Sequence, residues 1–532
     1  MDAIKNSAAL TIERGATALG IELGSTRIKA VLVDEECNPL AQGVFEWENS
    51  FEGGYWTYDL ADARRGLALC YEQLKLDVQR RYGVQLRRLG ALGISAMMHG
   101  YLAFDDEGNL LVPFRTWRNT TAAQAAAQLS SLFGFHIPER WSVAHLYQAV
   151  LDNEPHVGHV AHMTTLAGYV HELLCGNKVL SVGDASGMFP IDAQTRDYDE
   201  TMVGRFEAIE AVRGLGLRVC DILPQVLCAG EEAGRLTEEG ALLLDPTGDL
   251  EAGCPLCPPE GDAGTGMIAT NAVAPRTGNV SAGTSGFSMT VLEGPLKDPT
   301  SKLIDLVTTP AGDPVAMVHC NNCTSDINAW VGLFQSYNRL MGFEVSTDEL
   351  FSHLFGGALG AEPDAGGLTS VPFVSAEPVA SVESGHPLMV REPTGALDVQ
   401  SLMRANIMSA FAVLRTGQDC LAAQGVTVDE FCAHGGIFKT PVVAQRLLAA
   451  VLDVPVKVME TAGEGGAWGQ AVAAAYMLRR TEGQSLATFL DEVVFVRSRG
   501  TTLVPDEGDV AGFQAYSRRF ERALVAVRAL GA

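Results

Sequence analysis

The stretch TALGIELGSTRIKAVLVD, residues 17–34, decides how the chain begins to fold. Its two apolar runs, TALGIEL and IKAVLVD, flank a short segment of small polar residues, Gly24, Ser25 and Thr26. Apolar runs of this length around a Gly/Ser/Thr turn are typical of a β-hairpin. A crossover between parallel strands needs a dozen or more residues, so the stretch does not encode a βαβ unit.

The residues that follow indicate an α/β unit. Turn residues at 35–39 precede a third predicted strand, LAQGVFEW. Asp59 is a favourable N-cap, and apolar residues then recur at helical spacing as far as Gly83, which predicts a helix. Residues 89–97 predict a buried strand. Three strands, a helix and a further strand belong to the α/β fold class.

The hairpin pattern returns in the second half of the chain. Residues 279–293, NVSAGTSGFSMTVLE, again show two apolar runs around small residues, here Gly283, Thr284, Ser285 and Gly286. One such hairpin in each half predicts a duplicated fold, with domains at 1–277 and 278–532. The length of 532 residues also exceeds what one hydrophobic core usually serves.

Both predicted turns suit a chain of phosphates. Only glycine and small residues let the backbone come close enough for several N–H groups to point into one concavity. For either turn alone, an ordinary tight turn is an equally good interpretation. The presence of one turn in each half favours the phosphate-binding interpretation.

Two charged residues flank the first turn. Glu22 lies two residues before Gly24, at the end of a predicted buried strand, where it could hold Mg²⁺ directly or through water. Lys29 could neutralise phosphate, although a single lysine is usually a solvated surface charge.

A third glycine-rich segment follows VDEFCAHGG. A predicted strand ends at His434 and is followed by Gly435 and Gly436, which form a flat platform for a planar base. We expect Thr440 and Pro441 to be the N-cap and first residue of a long helix. By itself, this segment is better explained as a simple strand-to-helix turn.

Two more segments carry polar side chains. GDAGTG places Asp262 among glycines, where aspartate is more often a turn residue than a catalyst. SAMMHG follows a predicted buried strand and contains Met98 and His99, with Trp117 and Asn119 shortly after. Taken alone, His99 is interpreted as a loop histidine with satisfied hydrogen bonds.

Composition and charge exclude several classes of protein. Hydrophobic residues make up 47% and charged residues 19%, which is typical of globular proteins. We find no apolar run long enough for a bilayer and no secretory signal, and therefore expect a cytoplasmic protein without a membrane partner. The net charge of -26 argues against nucleic acid and anionic membranes. It does not exclude a phosphate-bearing ligand held locally by backbone N–H groups.

Eleven cysteines at irregular spacing indicate reduced thiols in a cytosolic protein. Two CxxC pairs, Cys254 with Cys257 and Cys320 with Cys323, could hold zinc or an iron–sulfur cluster. The pairs are much further apart than in a four-cysteine zinc site, so buried structural thiols are the better interpretation.

In their order and spacing these segments resemble the FGGY carbohydrate kinases of the actin-like ATPase superfamily. The resemblance covers nearly the whole chain. It is carried by LGIELGSTRIKAVLVD, GISAMMHG, GDAGTGM, VSAGTSGF, HGGIFKTPVVAQRLLAAVLDVPV and GEGGAWGQAVAAAY.

The resemblance implies two actin-like (ribonuclease H-like) domains with ATP and sugar in the cleft between them. It implies that Asp262 is catalytic and that Met98 and His99 contact a ketose, as in xylulose kinases. We place Trp117 and Asn119 with them, and Glu22 as the Mg²⁺ ligand. The residues expected to bind ATP are Gly24, Ser25, Thr26, Lys29, Gly283, Thr284, Ser285, Gly435, Gly436 and Thr440.

The chain departs from the family pattern at three places. Glu22 stands where the family usually has aspartate, and Met97 where xylulose kinases usually have glutamine. Residues 117–120 read Trp-Arg-Asn-Thr where those kinases have the run Trp-Asn-Asp-x-Arg. The identity of the sugar therefore does not follow from the resemblance.

These observations predict ATP-dependent phosphorylation of a small carbohydrate, first a ketopentose such as xylulose, on a terminal hydroxyl. Ribulose or another ketose, a polyol or a sugar acid is the alternative. Two alternatives belong to other functional classes. One is an actin-like ATPase activator with a cysteine-bound cluster, and the other is a sugar-sensing protein. The expected partners are the sugar and ATP, with a homodimer left open.

Overall fold

The computed structural model of the protein describes residues 2–459, 465–496 and 500–531. Within these ranges, none of the helices has the length and apolar character needed to span a membrane. The chain forms two compact units. The first comprises residues 1–273, 306–315 and 464–497, and the second residues 274–305, 316–463 and 498–532. The predicted boundary before Gly278 lies beside the first change of unit, but two later segments return to the first unit.

The strands are, in chain order, β1 (Ala18–Leu23), β2 (Arg27–Val33), β3 (Pro39–Glu46), β4 (Ser50–Glu52), β5 (Tyr55–Thr57), β6 (Ala91–Ala96), β7 (Leu102–Phe104), β8 (His162–Thr164), β9 (Val179–Ser181), β10 (Ile191–Asp192), β11 (Asp197–Tyr198), β12 (Gln225–Leu227), β13 (Gly234–Arg235), β14 (Pro255–Leu256), β15 (Glu260–Gly261), β16 (Thr277–Ala282), β17 (Gly286–Val291), β18 (Asp305–Thr308), β19 (Pro314–Cys320), β20 (Leu368–Val371), β21 (Leu388–Arg391), β22 (Glu430–His434), β23 (Val456–Met459) and β24 (Gly500–Leu503).

The α-helices are, in chain order, α1 (Asp2–Glu13), α2 (Leu60–Tyr82), α3 (Ala123–Phe133), α4 (Ser142–Leu151), α5 (Leu166–Cys175), α6 (Val182–Ala185), α7 (Glu200–Glu207), α8 (Glu210–Leu215), α9 (Val219–Ile222), α10 (Glu238–Leu244), α11 (Asp262–Ala269), α12 (Ser325–Met341), α13 (Thr347–Ala358), α14 (Val399–Ala423), α15 (Val443–Leu452), α16 (Gly465–Arg479), α17 (Leu486–Phe489) and α18 (Glu507–Leu530).

The main sheet of the first unit runs in the order β13-β14-β6-β1-β2-β3, with β15 also pairing with β6. Strands β1 and β2 are antiparallel, which confirms the first predicted hairpin. Strand β6 lies parallel to β1 on the other side. Strand β1 is central and its residues are buried except for Glu22, which is half-buried near the end of the strand.

Helix α2 confirms the helix predicted between Asp59 and Gly83. The Asp59 side chain accepts a hydrogen bond from the N–H of Ala61, and Gly83 ends the helix in the left-handed conformation. One face of the helix packs on the hairpin through residues such as Leu67 and Leu74. The helix thereby covers the hydrophobic core beneath the first turn.

Helix α16 also packs against β1, although it comes late in the chain. Glycines permit the close approach of α16 to β1, and one of them also lets α16 approach α11. A Cβ atom on Gly20 would lie 2.1 Å from the carbonyl oxygen of Ala467, and one on Gly469 would lie 2.2 Å from that of Thr265. A Cβ on Gly466 would lie 2.4 Å from a Glu22 carboxylate oxygen. The start of α16 is thus held directly against Glu22.

The second unit has its own sheet, in which β19, β17, β16, β22, β23 and β24 are successive neighbours. Strands β16 and β17 are antiparallel, which confirms the second predicted hairpin. Strand β22 lies parallel to β16, with Ser281 opposite His434. This pairing brings the diglycine after β22 beside the second turn.

The expectation that Thr440 and Pro441 begin a long helix is wrong. Residues Gly436–Lys439 form a short 3-10 turn, and the helix α15 starts only at Val443. Val442 stands before it with a φ of 73°, a conformation unusual for a β-branched residue. The sequence pattern of Thr-Pro suggested a cap, but the chain makes one further bend before the helix.

Candidate active site

The first turn, Gly24 to Arg27, is closed by a hydrogen bond from the Gly24 N–H to the Arg27 carbonyl, 2.9 Å. The carbonyl oxygens of the turn are fixed by two aromatic residues that sequence reasoning missed. Trp47 Nε1–H donates to the Gly24 carbonyl at 2.7 Å, and the Tyr58 hydroxyl donates to the Ser25 carbonyl at 2.7 Å. Since carbonyl oxygens repel phosphate, holding them on donors favours a turn that presents its N–H groups to an anion.

Glu22 is the next-to-last residue of β1, just before this turn. Its Oε2 accepts a hydrogen bond from the N–H of Ala467, 3.2 Å. Burial and the negative charge of Asp262 raise the pKa of Glu22 to about 7, opposed by the Ala467 N–H and by Lys29. Lys29 stands opposite Glu22 in the hairpin. Glu22 and Asp262 are therefore neighbours that compete for the charged state.

Asp262 is the first residue of α11, directly after β15. The N–H of Met98 donates to its Oδ1 at 3.1 Å. Desolvation raises the pKa of Asp262, although the Met98 N–H opposes it, and the side chain is still accessible to solvent. A carboxylate of this kind has the basicity and access that a general base requires.

Met98 and His99 follow β6 and are both buried. His99 has a φ of 70°, in the left-handed region that non-glycine residues seldom adopt. A Cβ on Gly187 would lie 2.5 Å from His99 Nδ1 and 2.9 Å from the terminal methyl of Met98. Gly187 thus allows the two side chains to lie against the segment after α6.

Trp117 and Asn119 differ in their surroundings. Trp117 is partly exposed. Asn119 is buried, and its side chain accepts a hydrogen bond from the N–H of Trp56 at 2.8 Å while donating to the Trp56 carbonyl at 2.9 Å. It also donates to the carbonyl of Thr116. The amide of Asn119 is therefore committed to the backbone of Trp56 and Thr116, which suits a residue that holds these two segments together better than one that binds sugar.

Two buried acids that sequence reasoning missed lie beside Asp262. Asp184 lies in α6, and burial together with the negative charge of Asp262 raises its pKa to about 7. Glu260, in β15, has its pKa raised to about 8 by burial and by Asp184. Neither residue is part of a recognisable sequence motif. Glu260 comes near the site because β15 pairs with β6, and Asp184 because α6 packs against β15.

The second turn lies in the second unit. Its carbonyl oxygens are also held by donors, here at the start of α12. The N–H and hydroxyl of Thr324 donate to the Gly283 carbonyl at 3.0 and 2.7 Å, and the N–H of Cys323 donates to that of Thr284 at 3.0 Å. Gly283 and Thr284 are exposed, and Ser285 is half-buried. Both turns thus share the same arrangement, each within its own unit.

The diglycine lies next to the second turn. A Cβ on Gly435 would lie 2.2 Å from the Ala282 carbonyl, and Gly435 has a φ of 120°, so only glycine fits there. Gly436 is exposed with open space around its Cα. Burial lowers the pKa of the neighbouring His434 to about 4, which keeps its imidazole neutral. Thr440 is half-buried beyond the 3-10 turn.

The paired cysteines Cys254, Cys257, Cys320 and Cys323 are all buried thiols. The Cys320 thiol donates to the Gly286 carbonyl at 3.2 Å, so the second pair packs behind the second turn. Burial raises the pKa of the Cys323 thiol to about 12. Within the described ranges, no group of three or more metal-ligating side chains forms a metal site.

Two α/β units that each carry a hairpin turn of this kind are the fold of the actin-like sugar kinases. Residues 17–248 match the N-terminal domain of the FGGY family of carbohydrate kinases, and residues 278–478 match its C-terminal domain. The chain belongs to the FGGY family of carbohydrate kinases and is a sugar kinase.

Among curated relatives, the chain is similar to the xylulose kinase of Lactococcus lactis subsp. lactis. The two are 22% identical over 377 residues, which cover 68% of each chain. It is also similar to the autoinducer-2 kinase of Salmonella paratyphi B, with 22% identity over 54% of this chain and 53% of the relative.

Solved structures share the fold over almost the whole chain. A xylulose kinase from Rhodospirillum rubrum has a TM-score of 0.77 at 17% identity and covers 97% of this chain and 99% of its own. A gluconate kinase from Lactobacillus acidophilus has a TM-score of 0.76 at 15% identity, with the same coverage. The predicted α/β class with two actin-like domains is confirmed by these likenesses.

Proposed function

We propose that the protein transfers a phosphoryl group from ATP to a terminal hydroxyl of a small polyhydroxy compound, with Asp262 as the general base. The observation that carries this proposal is the hydrogen bond from the Met98 N–H to Asp262 Oδ1, 3.1 Å. The segment expected to contact the sugar is the same segment that orients the base. A hydroxyl bound against Met98 and His99 would therefore lie within reach of the carboxylate.

Phosphoryl transfer depends mainly on positioning and on neutralising charge, since the protein supplies little covalent chemistry. In this proposal Asp262 accepts the hydroxyl proton as the oxygen attacks the γ-phosphate. In the first unit, Ser25 and Thr26 contact phosphate through the turn whose carbonyls are held by Trp47 and Tyr58. In the second unit, Gly283 to Ser285 contact phosphate, and Gly435 and Gly436 support the adenine.

Glu22 fits the role of a Mg²⁺ ligand. Burial and then the negative charge of Asp262 raise the pKa of Glu22, and a divalent cation would relieve the repulsion between the two carboxylates. Mg²⁺ prefers oxygen ligands and is usually held by one or two carboxylates together with substrate phosphates and water. When bound, the cation would neutralise charge on the phosphates. The longer side chain of Glu22, where the family usually has aspartate, suits a ligand that acts directly or through water.

A ketopentose such as xylulose is our first candidate substrate, supported by Met98 and His99 and by the similarity to xylulose kinases. Ribulose, other ketoses, polyols and sugar acids are alternatives because residues 117–120 differ from the xylulose kinase pattern. The likeness to an autoinducer-2 kinase and to a gluconate kinase adds those two compounds to the candidates. Buried polar groups discriminate strongly among substrates, so a few substitutions can redirect the choice.

The Asp262→Asn variant tests the base. We expect kcat to fall by about 10²- to 10⁴-fold, the usual contribution of a general base, with ATP binding nearly unchanged. The measurement is steady-state ADP release with each candidate sugar, together with calorimetric binding of ATP. A kcat close to that of the wild-type protein would refute the assignment of Asp262.

A substrate panel tests the reaction. Purified protein is incubated with ATP, Mg²⁺ and one compound at a time, including D-xylulose, ribulose, glycerol, gluconate and the autoinducer-2 precursor. We expect one compound to raise ADP release well above the rate without sugar, and the Asp262→Asn variant to abolish that increase. If every compound leaves ADP release at the background rate, the proposed substrate classes are wrong.

A further inference from the structure

Two carboxyl side chains form a buried layer directly behind Asp262. Asp184 is 0% exposed and Glu260 is 2% exposed. Glu260 lies in the two-residue strand that leads into Asp262, and Asp184 lies in α6, which packs against that strand. The side chain of Asp262 is exposed to solvent, whereas the carboxyls of Asp184 and Glu260 are enclosed and cannot contact a substrate.

The chain makes specific room for the Glu260 carboxyl. A Cβ on Gly183 would lie 2.5 Å from both of its carboxylate oxygens, and one on Gly264 would lie 2.7 Å from its carboxyl carbon. The Ser181 hydroxyl donates to Oε2, and the Gly261 N–H donates to Oε1 at 2.9 Å. The Glu260 side chain therefore connects residues 181–183 with strand β15, which leads directly into Asp262.

The Asp184 carboxyl accepts fewer hydrogen bonds from side chains and neighbouring backbone than the Glu260 carboxyl. The Thr165 hydroxyl donates to its Oδ2 at 2.6 Å. Among the described residues, its Oδ1 has no hydrogen-bond partner. This oxygen faces Gly261, since a Cβ on Gly261 would lie 3.2 Å from it. A buried ionised carboxylate with an unpartnered oxygen is costly, so the geometry favours the protonated form.

Among the described residues, the groups that act electrostatically on the two carboxyls are other acidic groups, and His99 lies against Gly187, three residues after Asp184. Asp262 and Tyr198 face Asp184, and Cys257 faces Glu260. The next acid beyond Asp262 is Glu22, which has Lys29 beside it. Two carboxyls that share one buried site cannot both ionise readily, because each charge disfavours the other.

We propose that Asp184 and Glu260 share a proton at neutral pH and that, in this protonated state, they are positioning residues for Asp262. The shared proton leaves at most one negative charge behind the base and keeps α6 and β15 together. When the proton is lost at higher pH, two adjacent anions lie behind a third, and their repulsion displaces Gly261 and Asp262. Turnover then falls because Asp262 no longer meets the hydroxyl, while the chemistry at Asp262 is unchanged.

The sign of the pH dependence follows from the raised pKa values of about 7 for Asp184 and about 8 for Glu260. Both carboxyls bind protons more tightly in the folded protein than in the unfolded chain. The stabilisation that they provide is present at acid pH and is lost as pH rises from about 4 through these values. The proposal therefore predicts that stability falls as pH rises from about 4 to about 8, and that kcat falls on the alkaline side of neutrality, where the last proton leaves.

The test compares Glu260→Gln and Asp184→Asn with the wild-type protein and with the control Glu482→Gln, an exposed glutamate outside the layer. The two amides imitate the protonated carboxyls. We expect this alkaline limb of the kcat profile to disappear in Glu260→Gln and Asp184→Asn, because neither variant can place two anions behind Asp262. We expect the limb of Glu482→Gln to coincide with the wild-type limb. Asp184→Ala, which removes the carboxyl altogether, should lower kcat at all pH values.

An alkaline limb that remains in both amide variants would overturn the proposal. This inference rests on Asp262 being the base, and the Asp262→Asn variant separates the two ideas. If Asp262→Asn keeps its turnover, the proposed function fails; if it is inactive and the limbs remain, only the shared proton fails.

If neither amide variant folds, infrared spectra of Asp262→Asn can still show whether a carboxyl is protonated at neutral pH. We expect a protonated-carboxyl C=O band at neutral pH that disappears as pH rises. The same spectra of Asp262→Asn combined with Glu22→Gln remove the contribution of Glu22. Absence of the band from that double variant at neutral pH would contradict the shared proton.

Discussion

Tyr58 shows how much a single hydroxyl contributes to the first turn. It donates to the Ser25 carbonyl at 2.7 Å, and its ring lies 4.4 Å from that of Trp47, which holds the Gly24 carbonyl. Tyr58→Phe keeps the ring and frees the carbonyl. A neutral hydrogen bond contributes about 0.5–1.5 kcal/mol, so we expect the KM for ATP to rise about 2- to 10-fold, with little change in kcat.

The matched control is Tyr147→Phe, which removes a hydroxyl that donates to Gln128 at 2.9 Å, away from the turn. Its KM for ATP should equal the wild-type value. Steady-state kinetics with saturating sugar measures both variants. Equal KM values in Tyr58→Phe and Tyr147→Phe would mean that the turn does not depend on this hydrogen bond.

The sequence predicted some residues of the site and missed others for a physical reason. Asp262, Glu22 and the turn residues lie in short segments whose order is recognisable. Trp47, Asp184 and Glu260 act through contacts with residues distant in the chain, and a buried acid has no sequence pattern of its own. The one signal for Glu260 was local, since it immediately precedes Gly261 and Asp262. Nothing in the sequence showed that Gly183 would lie against it.

At the scale of elements, a buried ion pair joins three helices of the second unit. Arg404 in α14 donates to Asp509 Oδ1 in α18 at 2.5 Å, and Arg446 in α15 donates to its Oδ2 at 2.6 Å. Arg404 is 2% exposed. Asp509→Asn leaves this guanidinium buried without a full counter-charge, so we expect unfolding to become easier by about 3–5 kcal/mol.

The control for this variant is Asp429→Asn, which breaks the exposed pair of Arg276 with Asp429 in the same unit. Exposed pairs contribute about 0–1 kcal/mol, so little change is expected. Urea unfolding followed by fluorescence gives both values. A loss in Asp509→Asn no larger than in Asp429→Asn would show that the buried pair does not stabilise the junction of helices.

The ion pairs of Asp509 with Arg404 and Arg446 also make the stability of the fold depend on pH at acid pH. Burial alone would raise the pKa of Asp509, but Arg446 and Arg404 outweigh it and hold the pKa below its usual value. The ionised form therefore stabilises the fold at neutral pH. This contribution is lost as pH falls below about 4 and through the lowered pKa, so wild type and Asp509→Asn should converge in stability there.

Elements differed in how far the sequence predicted them. The hairpins and α2 were predicted because their signals are local: two apolar runs around a turn of small residues, and an N-cap followed by helical spacing. The start of α15 was missed because a 3-10 turn and the strained Val442 depend on the surrounding packing. The position of α16 against β1 was also beyond local signals. It depends on Gly20 and Gly466, which lack side chains at a contact between segments more than 400 residues apart, and on Gly469, which lacks one where α16 meets Thr265 of α11.

At the scale of the whole molecule, charge is the dominant feature. The chain has 64 acidic and 38 basic residues, a net charge of -26. Like charges repel more strongly in the compact state than in the expanded chain, and salt screens them with a Debye length of about 10 Å at 0.1 M. We therefore expect the Tm at about pH 7.5 to rise by a few degrees between about 10 mM and 200 mM NaCl, as differential scanning calorimetry would show. At about pH 5, where part of the carboxylates are protonated, the same salt step should raise Tm less. A Tm that falls with salt at pH 7.5 would mean that attractive surface ion pairs such as Arg276 with Asp429 outweigh the net repulsion.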